Sequence, residues 1–308
     1  MKKGLNDANK KKENMHMSYK TNEIKQGIKL HCIDTNKFKT NLMAVFITLP
    51  LNRETVTFNT VIPAVLKRGT KNLKTQEEIA KKLEDMYGAS FGCGVEKTGD
   101  NHVIKFYLEA LNDNFIPEGN TLKDTIDLLL DIILNPLTEN NKFKDEYVEA
   151  EKNNIKLMIE SKIDNKDQYA LSRCIEEMYK EKPYGLYKYG YAEDLEKINS
   201  ENLYNYYMQI INSSKIDIFI SGELKTQEII EILKNNENIQ KIKEREPKYI
   251  INNEQTEQKQ QVEEKELEEK MDIGQGKLVI GLDVDLTQQN SKFPVSIYNV
   301  ILRRKCNI

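Results

Sequence analysis

Residues 58–94, FNTVIPAVLKRGTKNLKTQEEIAKKLEDMYGASFGCG, combine two helical patterns with the start of a strand. The first pattern has the i, i+3, i+4, i+7, i+8 spacing of an amphipathic helix, in Phe58, Val61, Ile62, Val65 and Leu66. Gly69 is predicted to end that helix. Thr75 and Glu78 form a capping box that predicts a second helix, which Gly88 ends. Two short consecutive helices before a strand are typical of a helical layer that packs on a sheet.

Strand patterns lie on both sides of these helices. Residues 28–34 and 41–51 are of strand length, and a hairpin is predicted from residues 91–96 and 103–111. Helices are predicted at 122–134, 143–163, 168–179, 200–211 and 227–233, with a further strand at 215–221. This order predicts an α+β domain over residues 21–234, in which helices pack on a layered antiparallel or mixed sheet.

The two ends of the chain have a different character. Residues 1–20 are polar and rich in Lys and Asn, and we expect a disordered tail. Residues 235–276 are dominated by Glu, Lys, Gln and Asn, which indicates a charged linker or an exposed helix face. Alternating apolar residues predict a strand at 277–286, KLVIGLDVDL. A second domain is therefore predicted to begin near residue 277.

Composition excludes several classes of protein. The chain has 308 residues, 39% of them hydrophobic, enough for one or two globular domains. A formal net charge of only -3 argues against a nucleic-acid partner. Its four cysteines lie far apart, which predicts reduced thiols rather than a metal knuckle. Neither a signal peptide nor a membrane-length apolar run is present in the sequence, so we expect a cytoplasmic protein without a membrane partner.

Few side chains are arranged for catalysis. The three histidines, His16, His31 and His102, have no second histidine within four residues, so neither zinc helix motif, H-E-x-x-H or H-x-x-E-H, occurs. Each of them is interpreted as a structural or surface residue. Gly88, Gly92 and Gly94 follow a helix and enter a strand, which is the reverse of the order that a nucleotide loop requires.

The opening stretch resembles the metal-binding region of the pitrilysin/insulinase-type metallopeptidases. In that family an H-x-x-E-H helix is followed by an apolar turn and Gly-Thr, and then by a helix that ends in glycine before an edge strand. Anchoring the resemblance on Gly69-Thr70 puts Thr60 and Ala64 at the two histidine positions and Pro63 at the position of the glutamate base. These side chains can neither bind zinc nor activate its water, so no catalytic residue and no zinc cofactor are expected.

The resemblance continues beyond this region. Residues 149–155, EAEKNNI, match the helix that supplies the family's third zinc ligand, so Glu149 is identified as the retained residue at that position. One carboxylate cannot hold a catalytic metal. Residues 262–285 are similar to the opening of the family's second half, and residues 296–302 match the start of its next helix. The resemblance implies a strand at 267–273, which shortens the charged linker to 235–261 and makes residues 262–308 the start of a second α+β unit. We expect that unit to be truncated, because so short a piece cannot cover its own apolar faces. The substrate-positioning Arg and Tyr of active members belong to the later part of that half.

The proline at position 63 is consistent with a helix that no longer carries zinc ligands. A proline within a helix costs roughly 3 kcal/mol unless it lies in the first turn. We expect Asn59 or Thr60 to cap the helix, which would leave Pro63 in that first turn.

The sequence leaves three interpretations of function open. The resemblance favours a non-catalytic subunit that pairs with an H-x-x-E-H-bearing metallopeptidase as a heterodimer. Such a subunit could still bind a peptide by backbone pairing along its edge strand, at Ser90, Phe91, Gly92, Cys93 and Gly94. The alternatives are a zinc-dependent endopeptidase, which the missing donors oppose, and a non-functional truncated fragment.

Overall fold

The computed structural model describes residues 16–246, 264–272, 274–282, 284 and 292–305. Six strands form one sheet in the order β1-β2-β8-β3-β5-β4. Their bounds are β1 Met17–Lys25, β2 Ile28–Thr35, β3 Thr40–Pro50, β4 Ser90–Thr98, β5 Asn101–Leu111 and β8 Lys215–Gly222. The short strands β6 Thr138–Glu139 and β7 Lys142–Phe143 form a separate hairpin. Strands β2 and β8 are parallel and the other neighbours are antiparallel, so the predicted mixed sheet is confirmed.

Ten α-helices occur in the described residues. They are α1 Val56–Leu66, α2 Gln76–Asp85, α3 Thr121–Leu134, α4 Asp145–Glu160, α5 Lys166–Met178, α6 Ala192–Leu195, α7 Ser200–Ser213, α8 Thr226–Asn235, α9 Glu237–Lys241 and α10 Lys292–Lys305. Helix α2 begins as its capping box predicts, since the Thr75 side chain accepts a hydrogen bond from the amide of Glu78. Within the described ranges, none of these helices combines the length and apolar character needed to cross a bilayer.

The sheet has one face covered by helices and one open face. Helices α1, α3 and α8 contact the strands on the covered face. Alternate strand residues such as Val45, Phe106 and Ile218 are fully buried there, as the period of two requires. On the open face, Phe46 and Phe219 are half-buried and meet edge to face.

Two predicted boundaries were wrong. Strand β1 begins at Met17, inside the range 1–20 predicted as a tail; residues 1–15 lie outside the described residues. The linker predicted from residue 235 contains helix α9, whose Ile239 is buried, as is Ile242 just after it. These apolar contacts extend the first domain beyond residue 234, and residues 247–261 lie outside the described part of the chain.

The strands predicted in residues 262–308 do not form in the described part of that range. Residues 267–272, 277–282 and 284 have no strand pairing, while 273, 283, 285 and 286 lie outside the described residues. Residues 264–272 lie against α5 instead, where Glu269 accepts hydrogen bonds from Tyr169 and Arg173 at 2.8 Å each. The helix predicted at 296–302 is confirmed by α10.

Candidate functional site

Thr60 lies in the middle of α1, at the position where the family resemblance expects the first metal ligand. Its side chain is buried, and its hydroxyl donates to the carbonyl oxygens of Val56, at 3.2 Å, and Lys188, at 3.4 Å. Both acceptors are backbone atoms, so the hydroxyl fastens the loop around Lys188 to the helix. This arrangement is structural.

Pro63 departs from its predicted first-turn position. Helix α1 begins at Val56, several residues before Asn59 or Thr60, so the proline stands inside the helix. Proline has no amide hydrogen, so the carbonyl oxygen of Asn59 lacks the hydrogen bond that the amide of residue 63 would otherwise donate. The carbonyl of Pro63 remains in use, because it accepts from the amide of Lys67 and from the thiol of Cys93, at 3.3 Å each.

Glu149 does not face α1. Its side chain is 61% exposed and pairs with Lys152 at 2.8 Å on the surface of α4. Glu151, two residues later, is 3% exposed and lies 2.5 Å from the guanidinium of Arg68. Sequence reasoning missed Glu151, although its three- and four-residue spacing from the buried Val148 and Ile155 marks the inner face of α4.

The residues at the expected metal positions do not fit zinc. Thr60, Pro63 and Ala64 offer no imidazole, thiolate or carboxylate, and the buried carboxylate of Glu151 is engaged by Arg68. Over all residues that the structure describes, no group of three or more His, Cys, Asp or Glu side chains is placed to hold a metal ion.

Strand β4 is the outer strand of the sheet, as the sequence predicted, and within the described residues it pairs with β5 alone. Its outward amide and carbonyl groups therefore form an unpaired edge. Cys93 faces α1, and its burial raises the pKa of the thiol to about 11, so it is a protonated donor rather than a nucleophile. Phe91 shares that face, while Ser90, Gly92 and Gly94 alternate to the open face.

The two edge glycines differ in their surroundings. The phenol of Tyr107 on β5 lies over Gly92, where a Cβ atom would overlap it. At Gly94, the described residues other than its chain neighbours place no atom within 4 Å of the Cβ position. The open face of the edge is thus covered at Gly92 and clear at Gly94.

A loop over residues 183–191 holds the far end of β4. The ammonium of Lys97 donates to the carbonyl oxygens of Tyr184 and Leu186 at 2.7 Å each. Lys188 pairs with Glu96 at 3.2 Å. These contacts fix residues 96 and 97, and no local sequence pattern indicates them because the partners are far apart along the chain.

A buried polar chain links α1 to β5 beside this loop. Tyr206 donates to the side-chain oxygen of Asn59 at 2.9 Å, and the Asn59 amide nitrogen lies 3.0 Å from Nδ1 of His102. Burial lowers the pKa of His102 to about 4, so the ring is neutral and accepts from Asn59. His102 is thus buried in the fold rather than placed at its surface.

Comparison with known proteins gives a consistent picture. No family model matches the chain. The chain is 31% identical over 288 residues to the probable inactive metalloprotease YmfF of Bacillus subtilis. This match covers 92% of the chain and 66% of YmfF. A conserved protein from Enterococcus faecalis superposes with a TM-score of 0.70 and 26% identity, over 76% of this chain and 54% of the other. Pitrilysin superposes with a TM-score of 0.57 and 17% identity, over 78% of this chain and 24% of its own length.

Proposed function

Since this chain belongs to the pitrilysin/insulinase-type metallopeptidase family as an inactive member, we propose that it is a non-catalytic subunit that binds peptide and pairs with an H-x-x-E-H-bearing metallopeptidase. The observation that carries the proposal is the contrast between the two halves of the site. The metal positions hold Thr60, Pro63 and Ala64, whereas the neighbouring edge strand keeps its unpaired backbone. Recognition of an extended peptide needs only the second feature.

Exposed apolar side chains support the pairing with another protein. Leu278 is 83% exposed, and the extended segment that carries it also exposes Ile280 and Leu282. Helix α10 exposes a second group, consisting of Phe293, Ile297, Tyr298, Val300 and Ile301. Exposed apolar groups of this kind mark surfaces that a partner covers. We propose that these two segments contact the metallopeptidase subunit.

Peptide binding can be tested with one matched pair of probes. The first is a fluorescein-labelled seven-residue peptide, Ser-Thr-Val-Gln-Val-Thr-Ser, and the second is the same peptide with alternate backbone nitrogens methylated. We expect the first to bind and to slow amide hydrogen exchange in residues 90–95, and the second to fail, because methylation removes the strand-pairing donors. Equal binding of both probes, or no binding of either at millimolar concentration, would reject edge-strand recognition.

Zinc content and partner capture test the rest of the proposal. We expect purified protein to contain no stoichiometric zinc and to leave unstructured peptides uncut. Tight zinc with chelator-sensitive cleavage would instead establish a zinc-dependent endopeptidase. Co-expression with an H-x-x-E-H protein from the same genome should give a complex that survives gel filtration. A product that is insoluble or rapidly degraded, alone and when co-expressed, would favour the non-functional fragment.

A further inference from the structure

Lys67 is the C-cap residue of α1, the helix that Cys93 of the edge strand contacts. Its amide and the thiol of Cys93 donate to the same carbonyl oxygen, that of Pro63, at 3.3 Å each. Lys67 follows Ala64 by three residues, so it lies one helical turn beyond that position on the same side of α1. Burial raises the pKa of the Cys93 thiol and the ammonium of Lys67 opposes that rise, so the side of the edge that faces the lost metal positions carries a positive charge.

The charge of this ammonium is only partly compensated. Glu151 accepts from Arg68 at 2.5 Å and from the side chain of Asn154 at 3.3 Å, whereas the Lys67 nitrogen stays 3.9 Å from the same carboxylate. Two cations thus share one buried anion. The Lys67 side chain is 38% exposed, and no other anionic partner is found for it among the described residues. An ammonium has three donors, so Lys67 retains donors for a further acceptor.

Strand pairing determines which peptide residue would meet this cation. When a strand adds to β4, the residue opposite Cys93 points its side chain to the same face of the sheet as Cys93. That face is the α1 side, where Cys93 contacts Pro63 and Lys67 follows. The next residues along the peptide point to the open face, towards Gly92 with its covering Tyr107 and towards the clear position at Gly94.

We propose that the edge strand selects an extended peptide with an aspartate or glutamate opposite Cys93, and that Lys67 is the residue that reads it. The inference rests on the proposed peptide-binding function and names its ligand class, an acidic strand-forming peptide. The ammonium of Lys67 would then be the positive charge that contacts the bound peptide, in the region where active relatives hold zinc. The gain is that of a partly exposed ion pair, about two- to fivefold in Kd.

The test compares three fluorescein-labelled peptides, Ser-Thr-Val-X-Val-Thr-Ser with X as Glu, Gln or Lys, by fluorescence anisotropy in low salt. We expect the Glu peptide to bind about two- to fivefold more tightly than the Gln peptide, and the Lys peptide to bind most weakly. Added salt should reduce the spread, because screening weakens exposed ion pairs.

Variants of Lys67 make the assignment specific. Lys67→Glu should reverse the order of the Glu and Lys peptides, and Lys67→Met, which adds no charge beside Glu151, should remove the difference between the Glu and Gln peptides. Lys225→Glu is the matched control, because Lys225 is 87% exposed and is the N-cap residue of α8, which contacts β1 and β2 rather than the edge strand β4. The order of the three peptides should be unchanged in that variant.

The outcomes separate the two levels of the argument. If the Gln peptide and the Glu peptide bind equally, or if Lys67→Met leaves their difference intact, Lys67 is a solvated surface lysine and the acidic specificity is wrong while peptide binding stands. If none of the three peptides binds to the wild-type chain, the proposed peptide-binding function fails, and the specificity fails with it.

Discussion

Removing the guanidinium of Arg68 tests how the protein stabilises a buried carboxylate in the absence of metal. Glu151 is 3% exposed, and its short contact is the one to Arg68 at 2.5 Å; Lys67 is 3.9 Å away. In Arg68→Met the carboxylate stays buried without its main partner, which costs about 3–5 kcal/mol for a fully buried pair. Because the Arg68 side chain is 23% exposed, water and Lys67 offset part of this loss, and we expect about 3 kcal/mol.

Urea unfolding followed by circular dichroism measures this loss, and a thermal scan should show a fall in Tm of about 6–12 °C. The double variant Arg68→Met/Glu151→Leu should be more stable than Arg68→Met, because it removes the unpaired charge and fills the space with an apolar group. Lys123→Met is the control. Lys123 and Asp127 form a pair on α3 that is 53% and 43% exposed, so its loss should cost less than about 0.5 kcal/mol.

Two results would refute this reasoning. If Arg68→Met loses no more stability than Lys123→Met, Glu151 is solvated in solution and the helix pair α1 and α4 does not depend on the ion pair. If the stability loss of the double variant equals or exceeds the summed losses of Arg68→Met and Glu151→Leu, the Glu151 side chain contributes by its packing rather than through Arg68.

Three further predictions follow from the same structure. Gly69→Ala should destabilise the domain by about 1–3 kcal/mol, because the new Cβ would lie 2.6 Å from the backbone oxygen of Lys74, whereas Gly94→Ala, with open space, should change stability by less than about 0.5 kcal/mol. Burial lowers the pKa of His102 to about 4, so between pH 6.5 and 4 the unfolded chain binds a proton that the folded protein does not. The free energy of unfolding should therefore fall by up to about 3 kcal/mol as the pH drops through this range. His102→Gln should remove this pH dependence, as measured by urea titrations at each pH. Glu149→Ala should leave the zinc content unchanged and change the unfolding free energy by less than about 1 kcal/mol, because its carboxylate is 61% exposed and, among the described residues, pairs only with the partly buried Lys152; a larger loss would contradict that position.

Local patterns were sufficient for most elements of the first domain. The helix at residues 58–66, the capping box at Thr75 and the hairpin of β4 and β5 all depend on neighbours within a few residues, so their signals are in the sequence. Strand β1 was missed because its residues are mostly polar and exposed, and pairing with β2 rather than apolar alternation forms it. The strand predicted at 277–286 shows the converse: it has the alternation, but no strand pairs with its described residues.

The candidate site shows the same limit at the level of single residues. The position of Glu149 in a motif did not reveal its exposure, and the rotation of α4 against α1 buries Glu151 instead. The proline in α1 likewise looked tolerable only in a first turn, yet the packed helix begins earlier and includes it.

By itself, the sequence determined the order of the elements and the lack of zinc donors, because both depend on residue identity and short spacing. Only the tertiary structure decided that Lys67 and Cys93 share the carbonyl of Pro63 and that β2 and β3, consecutive in the chain, are not neighbours in the sheet. The physical reason is that β8, from residues 215–222, pairs between β2 and β3. Pairing between such distant segments is selected by burial of the whole core, which no local pattern records.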